Sequence, residues 1–107
     1  MTKPKLVPQY ALELVKRLIA VSDTRRIVRA PLKDAEALGF GVDDIVKCVG
    51  MLARTDFYRC IASEHDHTLW LDVYHPLYDG LVLYLKLYVE TDETIGERVV
   101  VLSFKLK

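Results

Sequence analysis

Hydrophobic residues change their period near the middle of this chain. Before Asp56 they recur at helical spacing; after it they alternate. Ala11, Leu14, Val15 and Leu18 stand at i, i+3, i+4 and i+7, with Glu13, Lys16 and Arg17 elsewhere on the wheel. That spacing predicts an amphipathic helix from about Pro8 to Val21. Arg25 to Arg29 is a short basic segment compatible with a strand that ends before Pro31. Leu32 to Leu38 suits a two-turn helix stopped by Gly39. Asp43 and Asp44 favour the N-terminus of a further helix, in which Ile45, Cys48, Val49 and Leu52 repeat the helical period.

The second half reads as strands. FYRCIA (57–62), TLWLDVYH (68–75), LVLYLKLYVE (81–90) and RVVVLSFK (98–105) are separated by turn-like segments such as HPLYDG and ETDETIGE. In the third, Leu81, Leu83, Leu85, Leu87 and Val89 point one way, and Val82, Tyr84, Lys86, Tyr88 and Glu90 the other. One face belongs to the core and the other is a candidate working surface. The expected architecture is a single α+β domain over residues 1–107, an antiparallel-rich twisted sheet with about three helices from the N-terminal half packed on one face.

Composition narrows the class. A chain of 107 residues, 51% hydrophobic and 28% charged, suits one folded domain with a modest core. No apolar run approaches the roughly 18 residues of a membrane span, and no leader pattern opens the chain, so a cytoplasmic protein without membrane partners is expected. Cys48 and Cys60 lack the paired short spacing of a zinc site and read as buried thiols. The net charge of zero argues against bulk attraction to nucleic acid, yet residues 1–33 carry eight basic and two acidic side chains, and residues 34–107 carry seven and thirteen. A local basic surface remains compatible with that division.

The segment DFYRCIASEHDHTLWLDVYHP, with the later YLK and SFK, resembles the MqsR (motility quorum-sensing regulator) toxins, ribonucleases of bacterial toxin-antitoxin systems with a RelE-like fold. The similarity is strongest from Asp56 to Lys107, and the ordered set of motifs is far more specific than any one of them. It implies sequence-selective cleavage of single-stranded mRNA, typically at GCU, with inhibition of translation and growth. It also implies a cognate MqsA-like antitoxin that often carries structural zinc and binds DNA. The family's implicated active residues are a lysine after DFY, a glutamine after the tryptophan, the tyrosine of YLK and the lysine of SFK. Here these places hold Arg59, Leu71, Tyr84 and Lys105. Arg59 keeps the charge without the proton chemistry, and Leu71 departs from the pattern by removing a hydrogen-bonding group.

RNA is cut without a metal when its own 2'-hydroxyl attacks the adjacent phosphorus, leaving a 2',3'-cyclic phosphate and a 5'-hydroxyl. Acid/base groups and positive charge must then stand together. Tyr84, Lys105 and Arg59 are the expected catalytic set, joined by His67, whose ring has an unperturbed pKa close to neutrality. Lys86, Tyr88 and Trp70 are candidates for RNA binding, although for Trp70 burial is the default and base stacking the minority reading. His67 reads equally as a hydrogen-bonded anchor at the start of its strand. His65 and His67, with Asp72 or His75, form the only metal set worth weighing; they fall between strands, and neither a metal nor any other cofactor is expected. The rival reading, prompted by Leu71 and Arg59, is a catalytically weak relative that binds RNA or an antitoxin as a regulatory module.

Overall fold

Three amphipathic helices and one apolar face of a sheet bury each other, and the hairpin of the two longest strands sets the frame. The computed structural model describes residues 3–107. Its elements are α1 (Leu12–Ile19), β1 (Arg25–Ile27), α2 (Arg29–Ala37), α3 (Val42–Gly50), β2 (Phe57–Ala62), β3 (Trp70–Tyr74), β4 (Leu77–Tyr78), β5 (Leu81–Asp92) and β6 (Gly96–Leu106). The sheet order is β1-β6-β5-β3-β2, with β4 pairing β5. β2, β3, β5 and β6 form the expected antiparallel meander. β1 joins it in parallel along β6, so β6 lies inside the sheet.

The leucine row of β5 behaves as its alternation requires. Leu83, Leu85 and Leu87 are fully buried, together with Val99, Val101 and Phe104 of β6. Against them pack Val15, Leu18 and Ile19 of α1 and Ile45, Cys48 and Val49 of α3. At the α3 N-terminus Asp44 accepts the Gly41 N–H at 2.8 Å and the Tyr78 hydroxyl at 2.7 Å. These bonds, the Gly41 one foremost, hold its carboxyl below the usual aspartate value. Asp79 (φ 50°) and Gly80 (φ 80°) make the two-residue turn between β4 and β5. Two left-handed residues in succession match the twist of a tight hairpin, which is why HPLYDG holds a strand as well as a turn.

Helix boundaries differ from the sequence reading in two places. Pro31 lies in the first turn of α2, which begins at Arg29 rather than Leu32, because a proline there forfeits no helical hydrogen bond. α1 begins at Leu12, not Pro8, because the preceding amides are engaged elsewhere. The N–H groups of Gln9 and Tyr10 donate to the two carboxylate oxygens of Asp72 at 2.9 and 3.0 Å. The Tyr10 hydroxyl donates to the Trp70 carbonyl at 2.6 Å, and Lys5 and Cys60 exchange backbone hydrogen bonds at 2.8 Å each. The N-terminal segment thus runs along β2 as a strap over an edge that would otherwise be open.

Asp72 itself has no exposed surface. Burial pushes its carboxyl up, against the opposing pull of the Gln9 and Tyr10 amides and the Cys60 thiol. Asp72→Ala should destabilise the protein by about 3 kcal/mol, since it removes the acceptor of two part-buried amides, Gln9 and Tyr10, and leaves a gap at a fully buried position. Asp72→Asn, which keeps an acceptor oxygen, should cost less than half of that. Urea unfolding of the two variants checks the order.

Candidate active site

The face of β5 opposite the leucines carries Tyr84, Lys86 and Tyr88, all half-buried. Register fixes their neighbours: Tyr84 stands opposite Lys105, Lys86 lies between Val73 and Ser103, and Tyr88 stands opposite Val100. Simple alternation along β6 would send Lys105 to the helices, because it shares parity with the buried Val101. A register shift after Lys86 intervenes: Lys86 pairs with Ser103 but Leu87 pairs with Val101, leaving Leu102 as an extra residue. That bulge reverses the phase of the strand and turns Lys105 onto the Tyr84 face.

β2 has the same device. Phe57 pairs with the core residue Tyr74 and Arg59 pairs with Val73, so Tyr58 is the extra residue between them. Phe57 therefore meets Tyr74 edge-on at 5.5 Å while Arg59 emerges on the opposite side. Two bulges thus gather Arg59 and Lys105 on the face of Tyr84.

His75, next after the buried Tyr74, falls on this face too. Its ring stacks on Tyr58 at 4.3 Å and lies 5.9 Å from the Tyr84 ring. The Arg59 guanidinium sits 4.8 Å from the Tyr58 ring, and the Lys105 ammonium 5.6 Å from that of Tyr84. Burial raises the Tyr84 phenol above its ordinary value despite the opposing charge of Arg59, so it is a proton donor at neutral pH. The His75 imidazole moves the other way, lowered by burial and then by the charges of Lys107 and Arg59. Among the described residues, Arg59, Lys86 and Lys105 are in no ion pair.

The other sequence candidates are not brought to this cluster. Trp70 shares the helix-side face with Asp72 and Tyr74, is half-buried, and has the Lys5 ammonium 3.9 Å from its ring. His67 is exposed in the turn between β2 and β3, at the far end of β3 from His75. Five residues of strand, roughly 17 Å, separate the two ends. The strand-start anchor is Asp66, which accepts the Thr68 N–H and hydroxyl at 3.0 and 2.6 Å. Asp72 faces away from His75 and is committed to the N-terminal strap. Among the described residues no three His, Cys, Asp or Glu side chains come together. Tyr88 is on the working face but lies beyond Lys86, away from Tyr84. Sequence reasoning passed over Tyr58 and weighed His75 only as a metal ligand. The alternation of DVYH, with Val73 and His75 on one parity, is the signal that could have found the histidine.

Leu71 belongs to the working face as well, pairing with Ile61 of β2. It walls a shallow cavity of about 200 Å³ that Lys86, Leu102, Ser63 and His65 also line.

The chain matches the family model described as "Motility quorum-sensing regulator, toxin of MqsA" over residues 7–106. It belongs to the MqsR toxin family. The mRNA interferase toxin MqsR of Escherichia coli (strain K12) is 34% identical over 103 residues, spanning 96% of this chain and 98% of that protein. The match covers the helices and the N-terminal strap as well as the sheet, so both bulged strands lie within the MqsR framework.

Leu71, at the place of the family's glutamine, is only 4% exposed. Leu71→Gln should therefore lower stability by about 1 to 3 kcal/mol, the usual consequence of burying an amide without full hydrogen bonding. The shift of the urea midpoint measures it.

Proposed function

We propose that the chain is the toxin of a toxin-antitoxin pair and acts as an mRNA interferase, an endoribonuclease that cuts single-stranded mRNA by attack of the RNA 2'-hydroxyl. The observation that carries this reading is the convergence of Tyr84, Lys105 and Arg59 on one face through two bulges. The family match and the named activity of the Escherichia coli relative support it.

Each group has a chemical task. Arg59, permanently charged, holds a phosphate oxygen through its planar fork and does not exchange protons. Lys105 neutralises charge that grows on the phosphorane as the 2'-oxygen adds to phosphorus. Tyr84, held protonated by burial, donates to the departing 5'-oxygen. Lys86 extends the positive surface along the strand toward the cavity beside Leu71, whose lining mixes Ile61, Ala62 and Leu102 with Ser63, Glu64 and His65 and so offers a base both apolar and hydrogen-bonding contacts. Cleavage by this route leaves a 2',3'-cyclic phosphate, and the free cationic face is the part that a cognate antitoxin has to neutralise or cover.

The test uses the purified chain, a defined RNA and mapping of the product ends. Tyr84→Phe and Lys105→Ala should each lower the cleavage rate by roughly 100-fold to 10,000-fold, with stability changed by no more than about 0.5 kcal/mol. A single 2'-deoxy substitution at the cut site should abolish cleavage, and EDTA should leave it intact. Parental rates in both variants would refute the site, and a plain 3'-hydroxyl product would refute the route.

A further inference from the structure

Arg59, Lys105 and Tyr84 supply charge and a proton donor, but the reaction also needs a group that takes the proton from the 2'-hydroxyl. The tasks already given to those three, charge neutralisation, phosphate clamp and general acid, leave the acceptor's place open. We infer that His75 is that group, the general base of RNA cleavage, set against Tyr84 as the general acid. The inference rests on the proposed ribonuclease reading and adds a catalytic residue to it.

The geometry favours His75 in three ways. Its backbone is fixed on both sides: its N–H donates to the Asp56 carbonyl at 2.8 Å, and the next residue, Pro76, accepts the Leu83 N–H at 2.9 Å. Its ring is held in plane by stacking on Tyr58, the bulged residue of β2, with 24° between the planes. It then faces Tyr84 with 5.9 Å between ring centres, tilted by 40° rather than packed flat. In-line displacement places the attacking and leaving oxygens on opposite sides of phosphorus, so acid and base have to flank the phosphate and not touch each other.

Its electrostatic surroundings keep the ring unprotonated. Tyr58 and Arg59 approach from β2, Tyr84 from β5, Lys105 beside Tyr84, and Lys107 from beyond β6. The nearby Asp56 directs its carboxylate to the Ala53 N–H at 2.8 Å. Burial and the two cations Lys107 and Arg59 all lower the imidazole below its ordinary 6.5. At neutral pH it therefore stands as the free base, the form that can take a proton.

The step balances without a further reactant. The imidazole takes the 2'-hydroxyl proton, and the 2'-oxygen pair forms the new bond to phosphorus. The bond from phosphorus to the 5'-oxygen breaks, its electron pair staying on that oxygen, which takes the Tyr84 hydroxyl proton. Water then carries the proton from imidazolium to phenolate and restores both groups.

The experiment measures single-turnover cleavage of a defined RNA against pH for the parent, His75→Gln, His75→Asn and Tyr84→Phe. Binding of the same RNA bearing a 2'-deoxy cut site is measured in parallel. The parental rate should rise with pH through an inflection below 6.5. Both His75 variants should lose roughly 100-fold to 10,000-fold and lose that acid limb, while binding the deoxy RNA within about twofold of the parent, since the ring contributes to the proton-transfer step rather than to ground-state binding. A parental rate flat between about pH 5 and 8 overturns the assignment without any variant, because no imidazole then titrates in the reaction. It is equally overturned if the His75 variants keep the parental rate, or slow down with the acid limb intact, while Tyr84→Phe is inactive; the ribonuclease reading then stands alone. A parent that does not cut RNA removes that reading and the inference with it, whereas a Tyr84→Phe protein at the parental rate overturns the acid/base pair and leaves the ribonuclease reading standing.

Discussion

A β-strand offers its side chains to two faces in strict alternation, and this fold depends on breaking that rule twice. Without the extra residue Leu102, Lys105 would point with Val101 into the helices. Without the extra residue Tyr58, Arg59 would follow Phe57 into the aromatic core. A buried ammonium or guanidinium there would face several kcal/mol of desolvation with no partner. The apolar demands of Phe57, Tyr74, Val101 and Phe104 therefore hold the bulges in place, and the bulges hold the cations on the outside. Core packing and site geometry are here one constraint.

Much of the scaffold was legible because burial imposes a period. The leucine row of β5 and the stripes of α1 and α3 could be read directly, since each needs one apolar face. What escaped was set by non-local hydrogen bonds. The start of α1 is decided by Asp72, sixty-odd residues away, and the parallel placement of β1 by its register on Val99 to Val101. The bulges escaped for a related reason: a two-against-one pairing is a property of two strands, and neither strand's sequence displays it alone. The resemblance identified Arg59, Tyr84 and Lys105 without explaining how they could meet. It offered no guide to His67 or Trp70, whose positions follow from the length of the β2–β3 turn and the face assigned to Tyr74.

Charge distribution was misleading in an instructive way. The basic surplus of the first third of the chain suggested a basic surface, yet several of its cations are occupied structurally. Lys16 donates to the Leu52 carbonyl and Arg25 to the Ile19 carbonyl, each at 3.0 Å. Arg26 faces Glu90, as does Arg98, whose Nε donates to that carboxylate at 2.7 Å. The cations of the working face, Arg59, Lys86 and Lys105, come from the acidic remainder of the chain. Local freedom from carboxylates, rather than the sum over a segment, decides whether a surface attracts an anion.

The interior position of β6 bears on how such a chain can be made in a living cell. Of the described elements it is the last to be synthesised, yet β1 and β5 both pair with it, and it supplies Val99, Val101 and Phe104 to the core along with Lys105. A nascent chain that has not yet emitted this strand has a sheet divided at its middle and no ammonium opposite Tyr84. Completion of the core and of its cationic face then coincide, because the same strand closes the sheet between β1 and β5 and brings Lys105 opposite Tyr84.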